Sequence, residues 1–190
     1  MKKRMFVASM AAAAALLASG CSTTGRGASA DPSVERASIA ASVDAAMNRL
    51  SNQIPSSRPL VEKARGIAVF PSVLSAGLGV GGSYGEGALM VDGRIVDYYE
   101  TISGSVGLLA GAESKALYLL FMDDASLERF RSKPNWTVGA DASVTVLDVG
   151  ATAAVDTKTA QRQVIGYALT NKGLMANLSL DGTRFAKKRF

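Results

Sequence analysis

The sequence contains no histidine and a single cysteine, Cys21. These absences exclude an imidazole-based catalytic triad, a Cys/His metal cluster and a disulfide within the chain. Charge is scarce too, at 19% of residues. The formal charge of +5 overstates the basic character, because Lys2, Lys3 and Arg4 open the chain. Without those three, the 21 basic residues fall to 18 against 16 acidic ones, a net of +2. That lacks the basic stripe of a nucleic-acid binder. No GxxxxGK[ST] loop is present, so a phosphate-cradling P-loop is excluded. Gly77-x-Gly79-x-x-Gly82, with Asp97 beyond it, matches the dinucleotide fingerprint by spacing. That fingerprint must open a helix onto a pyrophosphate, and here glycines continue through Gly85 and Gly87. Asp123-Asp124 lacks the alternating ligands and glycine of a calcium loop. No metal and no cofactor is expected.

Glycine, in contrast, is abundant. Across Gly77–Val91, read with period two, one face carries Gly77, Gly79, Gly81, Ser83, Gly85 and Gly87. The other carries Leu78, Val80, Gly82, Tyr84, Glu86 and Ala88. A strand face of glycine is costly unless another backbone approaches closely or the sheet bends sharply. Gly104, Gly107 and Gly111 repeat the theme in a neighbouring segment. The pair reads as adjacent strands of a tightly curved, glycine-lined sheet.

Residues 1–20 combine a basic start with an apolar run from Met5 to Ala18 and then small residues. The run is too short for a spanning helix and reads as a secretory signal. Leu17-Ala18-Ser19-Gly20 before Cys21 resembles a bacterial lipobox, which implies lipidation of Cys21 as the first mature residue. Ser22 in the next position implies export to the outer membrane. Residues 21–30 are then the lipidated cysteine and a flexible tether, and 31–190 the folded domain. Asp31-Pro32 is a helix start, with aspartate at the N-cap and proline in the first position. Ile39, Val43, Met47, Leu50 and Ile54 follow at helical spacing. This is either a membrane-surface helix or a cover for the sheet, the second being favoured. Another short helix is expected near Arg58–Arg65, with Leu60, Val61 and Ala64 inward.

Gly66–Phe70 reads as a buried strand ended by Pro71-Ser72. Asp92-Gly93 is a two-residue hairpin signal. Ser103–Ala112 and Lys115–Met122 read as further strands. Asp123 caps a helix to about Arg131, with Leu127 and Phe130 inward and Pro134 ending it. Trp136–Val146 alternates as one strand. A polar turn lies around Thr152–Arg162, before Val164–Leu169. Asn171-Lys172-Gly173 turns that strand into Leu174–Leu180, and Asp181-Gly182 is the last turn. The fold class is therefore α+β: a glycine-rich, strongly curved antiparallel sheet, barrel- or sandwich-like, with N-terminal helices packed on it.

Glu86, Glu100, Glu113 and Asp141 are the carboxylates from which a catalytic pair would come, but a wet face or a lysine partner is the preferred reading. No enzyme activity is expected. Lys63 and Arg65 lie at the end of the second helix, and Arg184, Lys187, Lys188 and Arg189 cluster at the C-terminus. Both groups are candidates for contacting anionic phospholipid, each charge adding about 1 kcal/mol near such a surface.

The run ARGIAVFPSVLSAGLGVGGSYGEGALMV (Ala64–Val91) resembles the signature of the SYLF domain family. GSVGLLAGAES (Gly104–Ser114), LYLLFM (Leu117–Met122) and NKGLMANLSLDGTR (Asn171–Arg184) fit the same pattern. Eukaryotic members bind phosphoinositides and some fungal ones actin, while bacterial relatives are described as lipid-binding envelope lipoproteins. The resemblance implies lipid contact through an N-terminal amphipathic helix and basic residues. In this chain the matching places are the helix near Ile39–Ile54 and the pair Lys63 and Arg65. The function expected is a non-enzymatic envelope lipoprotein binding phospholipid head groups at a membrane. The alternative is a structural or protein-interaction module of the envelope with a protein partner.

Overall fold

The computed structural model describes residues 31–147, 162–170, 173–174 and 179–190. Helix α1 (Pro32–Gln53) starts on the expected proline and buries Ile39, Val43, Ala46 and Leu50. Spacings of three and four residues put these side chains on one stripe. Pro55 begins a 3-10 turn (Pro55–Ser57), in which the Ser57 hydroxyl donates to the Ile54 carbonyl at 2.7 Å. Helix α2 (Arg58–Lys63) follows and buries Leu60. The stripe packs against Val69, Tyr118, Leu120, Ile165 and Tyr167 of the sheet. The Tyr118 hydroxyl donates to the Ala46 carbonyl at 2.8 Å and ties α1 in place. The helix near Ile39–Ile54 is thus a cover of the sheet.

Two long strands dominate the rest, β1 (Gly66–Val91) and β2 (Arg94–Phe121). Asp92 and Gly93 join them with φ of 50° and 73°, the left-handed pair that a two-residue hairpin turn needs. Pairing is antiparallel from Val91↔Arg94 to Gly66↔Phe121. Pro71 does not end a strand as expected. It sits at a register shift between Phe70 and Val73, where a missing N–H breaks no ladder bond, and β1 runs on through it. Likewise the two segments expected between Ser103 and Met122 form one strand.

The glycine face explains how strands this long stay within a small domain. A Cβ built on Gly87 lies 2.0 Å from the Val69 carbonyl oxygen, and one on Gly85 lies 2.8 Å from that of Ser72. One on Gly77 lies 2.5 Å from the Gly81 Cα. The ribbon folds back over itself near Gly77–Gly81, with the second half of β1 lying against the first. The approaching backbone required by the glycine face is β1's own.

The remaining strands are β3 (Asn135–Thr137), β4 (Thr145–Leu147), β5 (Val164–Thr170), β6 (Gly173–Leu174) and β7 (Arg184–Lys187). They complete a seven-stranded sheet of order β3-β7-β2-β5-β4, with β1 also on β2 and β6 on β5. The class is α+β as expected and the sheet is mostly antiparallel, but β4 lies parallel to β5. Trp136–Val146 is not one strand. The Asp141 carboxylate accepts the Thr137 N–H at 2.7 Å, and the chain turns through Gly139 at φ +88°. The inward face of the pattern still holds at Trp136 and Val138, both buried.

Helix α3 (Asp124–Ser132) closes the other side of the sheet. Its N-cap Asp123 accepts the Ser126 N–H at 2.7 Å, and Leu127 and Phe130 point inward, as expected. Phe130 stacks among Tyr99, Phe121, Trp136 and Phe185, with ring centroids 4.6 to 6.1 Å away. Helices α1 and α2 on one face and α3 with its aromatic cluster on the other give Ser33–Phe190 its own two-sided core in one compact unit. The signal, Cys21, the tether, the turn at 152–161 and Asn171-Lys172 lie outside the described residues.

Candidate functional site

The fold-back joins α1, β1 and the C-terminal residues around one ion cluster. Glu86 on β1 stands directly opposite Glu100 on β2, an unfavourable like-charge register unless a cation intervenes. Lys188 supplies it, with Nζ 2.5 Å from Glu86 Oε1 and 2.8 Å from Glu35 Oε1 of α1. The Tyr84 hydroxyl donates to Glu86 at 2.7 Å. The hydrogen bond from Lys188 holds the Glu86 carboxyl below its ordinary range, against the opposing effect of burial. Partial burial, then the bond to Glu86, pushes the Tyr84 phenol up to about 12. Burial disfavours the Lys188 ammonium, but the bonds to Glu35 and Glu86 outweigh it and raise its pKa. Glu86 is therefore a carboxylate with a lysine partner, as preferred in the sequence reading. Beside it Phe190 packs edge-on against Tyr98 at 5.2 Å, under the Arg36 guanidinium at 4.6 Å.

Beyond this cluster the ribbon carries apolar side chains outward. Leu78 is 86% exposed, Val80 69%, Leu74 54%, Ile102 48% and Tyr84 46%. Tyr84 and Ile102 face each other across the strands. No charged residue stands between Arg65 and Glu86, or between Glu100 and Glu113. Where this face meets α1, an open groove of about 300 Å³ is lined by Ser38, Ile39, Ser42, Leu74 and Tyr84.

The basic residues singled out in the sequence divide by partner. Arg65 lies 3.8 Å from Asp124, with both side chains exposed, and Lys187 lies 3.2 Å from Asp97. Arg184 Nε donates to Asn135 Oδ1 at 3.0 Å. Lys188 is spent inside the ion cluster, its side chain 11% exposed. Lys63 and Arg189 are exposed, with no ion-pair or hydrogen-bond partner among the described residues. Lys63 and Arg65 belong to the α2–β1 joint, and the other four to β7 and the residues after it. Of the remaining carboxylates, Glu113 stands opposite Ser75, and Asp141 pairs with Lys133. Among the described residues no group of His, Cys, Asp and Glu is placed to hold a metal, and no helix is long and apolar enough to cross a membrane.

Sequence reading did not single out the outward apolar residues as a site. The signal was present as two long uncharged stretches that alternate leucine, valine and tyrosine against glycine. The role of Lys188 had no local signal, because its partner Glu86 is 102 residues away.

These features define an α+β domain built on a folded-back β-ribbon, with an open, uncharged outer face above a single ion cluster. Residues 102–189, a little under half the chain, match the model of the Ysc84 family, described as "Las17-binding protein actin regulator". The match is consistent with the SYLF domain family that the motifs resemble, and it takes in Gly104–Ser114, Leu117–Met122 and Asn171–Arg184. No curated protein matches the chain.

Proposed function

We propose that the protein is a non-enzymatic lipoprotein of the bacterial cell envelope whose SYLF domain contacts phospholipid head groups. In this reading Cys21 carries the acyl chains and holds the domain at the outer membrane, facing the periplasm. The observation that carries it is the only cysteine of the sequence, placed directly after the lipobox-like Leu17–Gly20. Two or three acyl chains, at roughly 0.8 kcal/mol per buried methylene, make such an anchor effectively permanent. Support for head-group contact comes from the match to the Ysc84 family and from Lys63 and Arg189, the two of the six candidate basic residues that have no partner among the described residues.

The family description favours a second reading, a protein-interaction module, since it names Las17 binding and actin for that family. Vesicle flotation of residues 22–190, which contain the whole compact unit, separates the two readings. Binding to anionic vesicles that weakens as salt rises, and weakens further in Lys63→Ala with Arg189→Ala, supports head-group contact. Binding indifferent to anionic lipid removes it. No binding, with one stoichiometric envelope protein recovered by crosslinking in cells, favours the second reading.

A further inference from the structure

We propose that the tip of the β1–β2 ribbon inserts into the bilayer surface, Leu78 and Val80 entering the interfacial zone with Leu74, Tyr84 and Ile102 at its edge. The inference rests on the membrane reading above and assigns it a contact surface separate from the basic residues.

Four features of the ribbon and of α1 carry it. First, the exposed residues lie on one face and belong to the even-numbered series of β1, with Ile102 joining from β2. Second, the uncharged stretches from Gly66 to Gly85 and from Thr101 to Ala112 end on Glu86, Glu100 and Glu113, so charge begins only where the ribbon meets the body. A surface for a soluble partner normally has a polar rim with charged groups around its apolar centre, and here the tip is flanked by hydroxyls such as Ser72, Ser83 and Ser103 but by no charged side chain. Third, these five side chains alone expose on the order of 500 Å² of apolar surface, a patch of the size that marks an interaction site on a monomer. Fourth, α1 places its N-terminal half beside the tip, since Ser38 and Ser42 share a groove with Leu74 and Tyr84. About ten residues separate Cys21 from the first turn of α1, a reach of at most about 35 Å, so an acyl chain there keeps this end of the domain close to lipid.

Depth is limited by the backbone. The two strands satisfy each other, but the outer edges of a two-stranded ribbon keep unpaired N–H and C=O groups, which hydrocarbon does not tolerate. The tip therefore stops at the boundary of head groups and acyl chains, about 5–10 Å deep. Tyr84 suits that level, with its ring in the apolar zone and its hydroxyl on Glu86.

Residues 22–190 contain no cysteine, so Leu78→Cys provides a single attachment point for an environment-sensitive fluorophore. Glu128→Cys, on exposed α3 beside the Gly66 end of the ribbon, is the control. The probe is a phospholipid vesicle, prepared once with anionic and once with only zwitterionic lipid. The expected result is a blue shift and shielding from an aqueous quencher at position 78 and none at 128. Leu78→Asp with Val80→Asp lowers vesicle partitioning at least tenfold and leaves the melting temperature unchanged, since neither side chain is buried. Vesicle binding with an aqueous label at 78 overturns the inference and leaves the head-group reading standing. Absence of vesicle binding overturns both. A blue shift at 78 without lipid, growing with protein concentration, assigns the tip to a second copy of the chain and overturns the inference as well.

Discussion

The base and the tip of one ribbon use the same residue for opposite ends. At the base, Gly85 and Gly87 are buried, and each leaves no room for a methyl group against residues 69–73 of the same strand. At the tip, Gly82 and Gly104 are exposed; a Cβ on Gly104 meets nothing within 4 Å, and one on Gly82 meets only the Ser103 carbonyl oxygen at 3.4 Å. The base is also where charge is matched and aromatic rings pack, whereas the tip has neither. Glycine spacing alone thus marks a ribbon able to fold on itself. Only the positions in close approach are fixed by that fold, and the others are free to serve the surface.

Gly87→Ala is the strongest test of this contrast. The added methyl would overlap the Val69 carbonyl oxygen, a backbone atom with no rotamer to escape into. Overpacking of this kind costs about 3 kcal/mol, which lowers the melting temperature of a domain this size by roughly 10 °C. Thermal unfolding followed by circular dichroism measures it. A variant as stable as the parent would mean that the two halves of β1 do not press together, and the comparison would fall.

Local features of the fold were legible in the sequence, because their causes lie within a few residues. Asp92-Gly93 made the hairpin, Asp123 capped its helix, and the stripe from Ile39 to Ile54 covered the sheet. Features set by distant partners were not. Pro71 reads as a terminator in any window, and only the register shift opposite Ala116 shows why β1 passes through it. Alternation from Trp136 onward suggested one strand, but the side chain of Asp141 captured the Thr137 N–H and turned the chain. The parallel pairing of β4 with β5 depends on a connection outside the described residues. At the site, the C-terminal cations read as one surface cluster. The fold separates them, because Lys188 is drawn inward by Glu35 and Glu86 while Arg189 stays outside.

Lys188→Met sharpens the contrast by unlocking the base without touching the tip. It leaves Glu86 facing Glu100 with no cation and frees Glu35 on α1, a loss of about 2 kcal/mol for charge-assisted hydrogen bonds. The pH dependence should change with it. Glu86 titrates below its ordinary value of 4.5 in the folded protein, chiefly through the Lys188 bond, so its contribution is present above that value and lost as pH falls beneath it. Lys188 titrates above its ordinary 10.5, so its contribution is present below that value and lost as pH rises beyond it. Urea midpoints at neutral pH, near pH 3 and near pH 11 should fall at both extremes in the parent. In the variant both falls should be shallower. Parallel curves for the two proteins would remove the cluster from the account of the base.

Gly104→Ala has the smallest expected effect and probes the tip from the other side. Nothing lies within 4 Å of the added Cβ, and the glycine does not occupy the left-handed region. The methyl group therefore strains nothing in the folded protein, while it reduces the freedom of the unfolded chain. The expected change is a gain of about 0.5 kcal/mol, opposite in sign to Gly87→Ala and several times smaller. The two substitutions are the same in chemistry and lie on paired strands of one ribbon, so their difference reports the local space alone. A loss at Gly104 comparable to that at Gly87 would show that the tip is clamped like the base, and would take away the freedom that insertion into a lipid surface requires.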